Sequence, residues 1–281
     1  MDLHDSELVA APPVTGTQRW AGAPAAVLDA DGTVLLLYRT RGDGDALVLA
    51  RSADGVRFAP VFELTAEALG VAMVERSALV RTGGGWRLYP SYSPADGAPW
   101  RIGLLEAAHV TGLPGAALRE LTFGGPLETV KDPVVHRTAG GWAAWVCVHP
   151  LDVPGADDRM YTRHLTSVDG IGWASHGTVL AGRPGQWDAR GARLTCVLPD
   201  GSGFYDGRRT REENWFERCG RAVPAGDGPR LVAVGAEPVA DVRYLEILTL
   251  PGGGRRAYFE ARRPDGAHEL RTALLPDRDN P

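Results

Sequence analysis

Lysine is nearly absent from this chain: its thirty basic residues include one lysine, Lys131, and otherwise only arginine. A coding bias toward arginine would be met equally well by arginine at 131, so an ammonium is wanted there, beside Asp132. Lysine is a compact point charge whose pKa shifts on burial, whereas arginine is a permanently charged fork. Cysteine is also scarce. Cys147, Cys196 and Cys219 form neither an even disulfide set nor a zinc-ligand spacing, and their apolar, strand-like contexts mark them as reduced and structural. No segment approaches the ~20 apolar residues of a membrane span, and Met1 to Pro13 lacks the basic start and apolar stretch of a secretory signal. A cytoplasmic protein is expected. No basic run with interleaved aromatics is present, and the net charge of −5 argues against a nucleic-acid partner.

Turn residues, by contrast, are plentiful. Thirty-six glycines and twenty-one prolines punctuate short β-rich runs, and the one helical stretch expected is Leu64 to Leu69. The runs repeat. Ala23-Pro24-Ala25-Ala26-Val27 precedes Asp31-Gly32, Arg76-Ser77-Ala78-Leu79-Val80 precedes Gly84-Gly85, and Asp132-Pro133-Val134-Val135 precedes Gly140-Gly141. Looser copies run from Arg190-Gly191-Ala192 to Asp200-Gly201 and from Arg243-Tyr244-Leu245 to Gly252-Gly253. A period of ~50 to 60 residues predicts an all-β fold, a five-bladed β-propeller in one domain, 1–281, with blades at roughly 19-60, 72-123, 129-180, 186-235 and 239-275. A β-sandwich would not explain the fivefold recurrence.

In a propeller the first strands line the central channel, so the residues opening them converge on one mouth. Those openings read Gly22-Ala23-Pro24, Glu75-Arg76-Ser77, Lys131-Asp132-Pro133, Asp188-Ala189-Arg190 and Asp241-Val242-Arg243. Loops between second and third strands add Arg39, Arg41, Ser91 to Trp100, His149 to Arg159 and Asp206 to Glu217. Charges clustered in a cleft mark a site; paired charges that merely close the ring are the plainer alternative. His149 is either a general base oriented by Asp152 or a loop histidine bonding backbone. Trp100, Trp187 and Trp215 can stack on a sugar or other flat ligand. His136 is expected to be structural, Trp86, Trp142 and Trp145 to lie in the core, and Asp54, Asp169 and Asp200 to serve turns. No motif demands a metal or cofactor.

With carboxylates on its inner strands, the chain resembles the five-bladed superfamily of arabinanases, xylosidases, furanosidases, invertases and mannoside phosphorylases. Lys131-Asp132-Pro133 is similar to the Arg-Asp-Pro motif of the fructosidase branch, whose aspartate binds sugar hydroxyls. Trp187-Asp188 stands where those families carry their acid. Phe204-Tyr205-Asp206-Gly207-Arg208, followed by Glu212-Glu213-Asn214-Trp215-Phe216-Glu217-Arg218, is similar to a motif of bacterial glycosidase-related members. The resemblance implies an enzyme that cleaves or transfers a glycosidic bond, with Asp188 as acid and Asp132 orienting a sugar or glycoside. One departure stands out. Where those hydrolases place an essential first-blade aspartate, this chain has Ala23-Pro24, so a second carboxylate must come from Glu75, Glu213, Glu217 or Asp241. In the phosphorylase branch phosphate attacks instead, and Arg76, Lys131, Arg190 and Arg243 suit an anion. The alternatives are non-hydrolytic chemistry on an anionic small molecule through Lys131, and a propeller that binds a ligand without catalysis.

Overall fold

The structure, a computed structural model, describes residues 1 and 3–276; residues 2 and 277–281 of the expected domain lie outside the described residues. Strand β1 (Glu7–Ala10) is followed by a meander of β2 (Trp20–Leu28), β3 (Val34–Arg41), β4 (Asp45–Ser52) and β5 (Ala59–Thr65). A short helix, α1 (Ala66–Leu69), leads to β6 (Val71–Thr82), β7 (Gly85–Pro94), β8 (Arg101–Ala107) and β9 (Arg119–Leu121). The third meander is β10 (Glu128–Thr138), β11 (Gly141–Pro150), β12 (Tyr161–Ser167) and β13 (Ala174–Ala181); the fourth is β14 (Gly191–Val197), β15 (Gly203–Arg208), β16 (Arg218–Pro224) and β17 (Leu231–Val234). The last is β18 (Arg243–Thr249), β19 (Arg255–Arg262) and β20 (His268–Leu275). The helix is shorter than its sequence signal, because Leu64 and Thr65 stay in β5 and the Thr65 side chain caps the turn that Gly70 ends at φ 69°.

Turn chemistry sets the hairpins. Between first and second strands Gly32, Gly85, Gly141, Gly201 and Gly253 all have positive φ, the region that glycine enters without a Cβ penalty. Asp54 and Asp169 serve matching turns, each accepting from two backbone amides and from a serine hydroxyl, Ser52 or Ser167. Those bonds hold both carboxyls at about 2.

The sheets stack face to face, so strands inside them are buried on both sides and read as apolar runs rather than alternations. Leu35, Leu37, Leu47 and Leu49 pack on Leu79, Leu88 and Leu105 of the next sheet, each side chain contributing about 1.5–3 kcal/mol by leaving water. Trp86 and Trp142 are buried in such layers; Trp145 is only half-buried, against His136 and His164. The three cysteines are free and buried. First strands touch in a closed cycle: β2 to β6, β6 to β10, β10 to β14, β14 to β18, and β18 back to β2. The chain's first strand completes its last meander, because β1 pairs antiparallel with β20. A single parallel bridge, Trp20 to His268, joins that meander to β2 in one sheet.

Candidate functional site

Each first strand carries a bulge, and the bulges build the site. Pairing slips by one residue after Gly22, Glu75, Lys131, Leu194 and Arg243. Three of the inserted residues, Ala23, Asp132 and Tyr244, take φ of 52°, 54° and 50°. A left-handed non-glycine residue costs about 1–2 kcal/mol, which the surrounding structure must offset. For Asp132 part of that offset is visible: its amide donates to Ser91 Oγ at 2.8 Å, and Arg76 donates to the Pro133 carbonyl at 2.7 Å. Glu75, Lys131, Arg193 and Arg243 face Ser91, Cys147, Asp206 and Glu260 across the ladders. The fourth opening is therefore Arg193, not Asp188-Ala189-Arg190, which precedes the strand.

The corresponding position in β2 is Gly22, and its bareness is used. A Cβ there would meet Glu260 Oε2 at 2.2 Å. Glu260, fully buried in β19, occupies the room vacated where the first sheet lacks an acidic side chain.

Charges then alternate along one chain of ion pairs. Arg41 pairs with Asp45 and Glu75, Arg39 with Glu75 and Glu260 at 3.0 Å each, Arg243 with Glu260 at 2.6 Å and Glu217 at 2.8 Å, and Arg208 with Glu217 at 2.7 Å. Beside it, Arg193 joins Asp132 at 3.1 Å to Asp206 at 2.6 Å and lies over the Tyr244 ring, whose hydroxyl donates to Asp132 Oδ2 at 3.3 Å. Burial would raise the Glu75 and Glu217 carboxyls, but neighbouring guanidiniums, with Lys131 beside Glu75, override it and hold both at about 2. At Asp206 burial wins and the carboxyl rises.

Above this network lies a cavity of about 480 Å³, within the size range of small-ligand sites. Its floor is Arg39, Glu75, Lys131, Arg193, Arg243 and Tyr244. Two loops wall it: one, after β11, brings Asp157 and Asp158, and the other, after β15, brings Arg211, Trp215 and Glu217. The loops are latched, since Arg211 donates to the Gly155 carbonyl at 2.5 Å and Arg208 to that of Asp158. Trp215, at φ 72° and 39 % exposed, sets its ring 6.1 Å from Trp20, which Arg39 and Arg41 both cover.

Lys131, Asp132 and His149 each keep an atom without a hydrogen-bond partner. Lys131 Nζ makes no hydrogen bond within the described residues; its nearest carboxylate oxygen, on Asp132, is 3.9 Å away, and the Trp100 ring centre 5.3 Å. Asp132 is fully buried, and its Oδ1 has no partner. His149 also lines the cavity, with Nδ1 3.0 Å from the Asp157 carbonyl oxygen. Burial, reinforced by Lys131, pulls its pKa down to about 3.

Of the residues expected from sequence, Glu75, Lys131, His149, Arg208, Arg243 and Trp215 line the cavity, with Asp132 and Asp206 bonded to its floor through Arg193. Others are elsewhere. Asp188 is buried with Arg183 on both oxygens and the Tyr205 hydroxyl at 2.6 Å, because the Trp187-Asp188 turn packs against β15, where Trp187 stacks on Tyr205. Glu213 pairs with Arg218, and Asp241 is exposed beside Arg262. Arg76 is bonded instead to the carbonyls of Pro133 and Thr195 and to Glu246. Arg190 and Asp152 line a separate groove of about 710 Å³, Arg190 paired with Asp158 and Asp152 with Arg159, so His149 is oriented by the Asp157 backbone and not by Asp152. Trp100 lines a third depression. Sequence reasoning missed Trp20, Arg193, Tyr244 and Glu260. For Tyr244 the sequence held a signal, since it takes in Arg243-Tyr244-Leu245 the place that Asp132 has in Lys131-Asp132-Pro133; for Arg193 it held none, because the fourth bulge falls after Leu194. Among the described residues no group of three or more His, Cys, Asp or Glu is placed to hold a metal ion.

No protein-family model matches the sequence, and no curated protein matches it. Solved structures do. A thermostable family-43 glycoside hydrolase aligns with a TM-score of 0.69 at 13 % identity, over 95 % of this chain and 93 % of its own. The β-1,2-mannobiose phosphorylase of Listeria innocua, in complex with β-1,2-mannobiose, aligns with a TM-score of 0.67 at 15 % identity over 98 % and 92 %. A family-43 enzyme of Xanthomonas citri complexed with xylotriose gives 0.66 at 15 % over 97 % and 91 %. At such identities the likeness shows the fold, which this chain shares along its length with glycoside hydrolases and a mannoside phosphorylase.

Proposed function

We propose that the chain is a single five-bladed β-propeller and a carbohydrate-active enzyme, breaking a glycosidic bond of a sugar held in the 480 Å³ cavity. The closed cycle of first strands supports the architecture. One observation carries the function: in a network where the other acidic side chains are clamped by guanidiniums, an ammonium without a hydrogen bond stands beside a carboxylate with one free oxygen. A sugar hydroxyl accepting from Lys131 would complete the ammonium, with the fully buried Asp132 carboxylate holding its charge from beneath the floor, and Trp215 offers a ring to stack against. Glu75, held at about 2, is ionised near neutrality and suits a nucleophile rather than an acid or a general base. In this reading the proton for the leaving oxygen comes from Lys131, since Asp188 is committed to Arg183 and Tyr205.

The test is a panel of aryl glycosides and disaccharides, with and without phosphate, alongside calorimetric binding of the sugars. Turnover is expected for at least one glycoside, with loss of about 100-fold or more in Asp132→Asn and Glu75→Gln. Absence of both sugar binding and turnover in folded wild-type protein would refute the reading.

A further inference from the structure

Strands β10 and β11 set two complementary groups side by side in this cavity. Lys131 lies opposite Cys147, and Thr129 opposite His149. Lys131 and His149 are thus diagonal neighbours on one face of the sheet, with Cα atoms about 7–8 Å apart and Cβ atoms somewhat closer. A carbonyl oxygen only accepts, so His149 Nδ1, 3.0 Å from that of Asp157, must carry the ring proton. The lone pair is then on Nε2, which is buried and has no partner. Lys131 supplies the converse, an ammonium with donors to spare. Neither group is tied up by the arginine network, which engages Glu75, Glu217 and Glu260 with two guanidiniums each.

We propose that Lys131 and His149 act as an acid–base pair that opens and recloses the ring of a free reducing sugar, interconverting its anomers. The proposal rests on the cavity being a sugar site. His149 Nε2 takes the proton of the anomeric hydroxyl. As that oxygen becomes a carbonyl, the bond between C1 and the ring oxygen breaks, and the ring oxygen takes a proton from the Lys131 ammonium. Rotation about the C1–C2 bond and the reverse sequence close the ring on the other face and return both protons. Atoms and charge balance with no acceptor, cofactor or second carboxylate. The two proton transfers also assist one another. After burial, the Lys131 charge is the next cause of the weak basicity of His149, and giving up the ammonium proton removes it.

Anomer equilibration of glucose, mannose, galactose, xylose and arabinose can be followed by polarimetry and by NMR exchange in weakly catalytic buffer, with sugar binding measured in parallel. Wild-type protein is expected to speed equilibration of at least one bound sugar about 100-fold over buffer. His149→Gln and Lys131→Met should return it to the buffer rate with thermal unfolding unchanged. Lys131→Arg, which keeps the charge but cannot give up its proton, should also be inactive, separating proton transfer from electrostatics. Binding without acceleration, or acceleration surviving in the His149 and Lys131 variants, would overturn the acid–base pair while leaving the sugar site standing. Failure of every sugar to bind would remove both.

Discussion

Replacing Glu217 with glutamine keeps the shape of a side chain shared by two buried guanidiniums while deleting its charge. Glu217 is 3 % exposed, with Arg208 at 2.7 Å and Arg243 at 2.8 Å, so neither cation has water to fall back on. Removing one partner of such a buried pair costs about 3–5 kcal/mol. An independent route agrees: a carboxyl held at about 2 instead of 4.5 corresponds to roughly 3 kcal/mol, at ~1.4 kcal/mol for each tenfold change in proton affinity. At ~2–4 °C per kcal/mol for a large domain, the unfolding midpoint at neutral pH should fall by roughly 6–20 °C. Because the folded pKa is depressed, the stabilisation is present above the unfolded value near 4.5 and is lost as pH falls through about 2. The gap between wild type and Glu217→Gln should therefore be constant from pH 7 to 5 and shrink by roughly half near pH 3. Urea unfolding at several pH values measures it. A gap below about 1 kcal/mol at pH 7, or one indifferent to acid, would refute the assignment of Glu217 as a buried, ionised link.

Glu246 should behave in the opposite sense. Burial pushes its carboxyl up to about 7 despite Arg76, so its contribution is complete below about pH 4.5 and lost as pH rises through 7; relative to Glu246→Gln, wild type should lose roughly 3 kcal/mol over that window in urea titrations. If Lys131 donates a proton to substrate, Lys131→Arg should lose glycoside turnover nearly as fully as Lys131→Met; activity within a few fold in the arginine variant would return this lysine to a structural role. Burial raises the Cys147 thiol to about 12 and those of Cys196 and Cys219 as well, so a thiol reagent near pH 8 should label them only at the rate of unfolding, and rapid labelling of native protein would contradict the buried assignment.

The local features of this fold were legible residue by residue. Asp31-Gly32, Gly84-Gly85, Gly140-Gly141, Asp200-Gly201 and Gly252-Gly253 announced five hairpins because only particular residues relieve a positive φ, and the twin serine–aspartate turns at Ser52 and Ser167 are equally local. Lys131 and Asp132 were marked by type and place; Lys131 lines the cavity, and Asp132 lies buried beneath it, bonded to Arg193 of the floor. Partner choice was not local. Asp188 and Glu213 resemble Glu75 and Glu217 in sequence, but a carboxylate's role depends on which guanidinium reaches it, and that follows from the bulges and the packing of strands distant in the chain. Glu260 fills the space over Gly22, Arg193 stands in for the expected Arg190, and β1 completes the sheet of β20. Turns and strand periodicity lie in short stretches of sequence. Which carboxylates are clamped by guanidiniums and which are not was decided by tertiary structure, because burial and pairing energies are set between strands distant in the chain rather than along it.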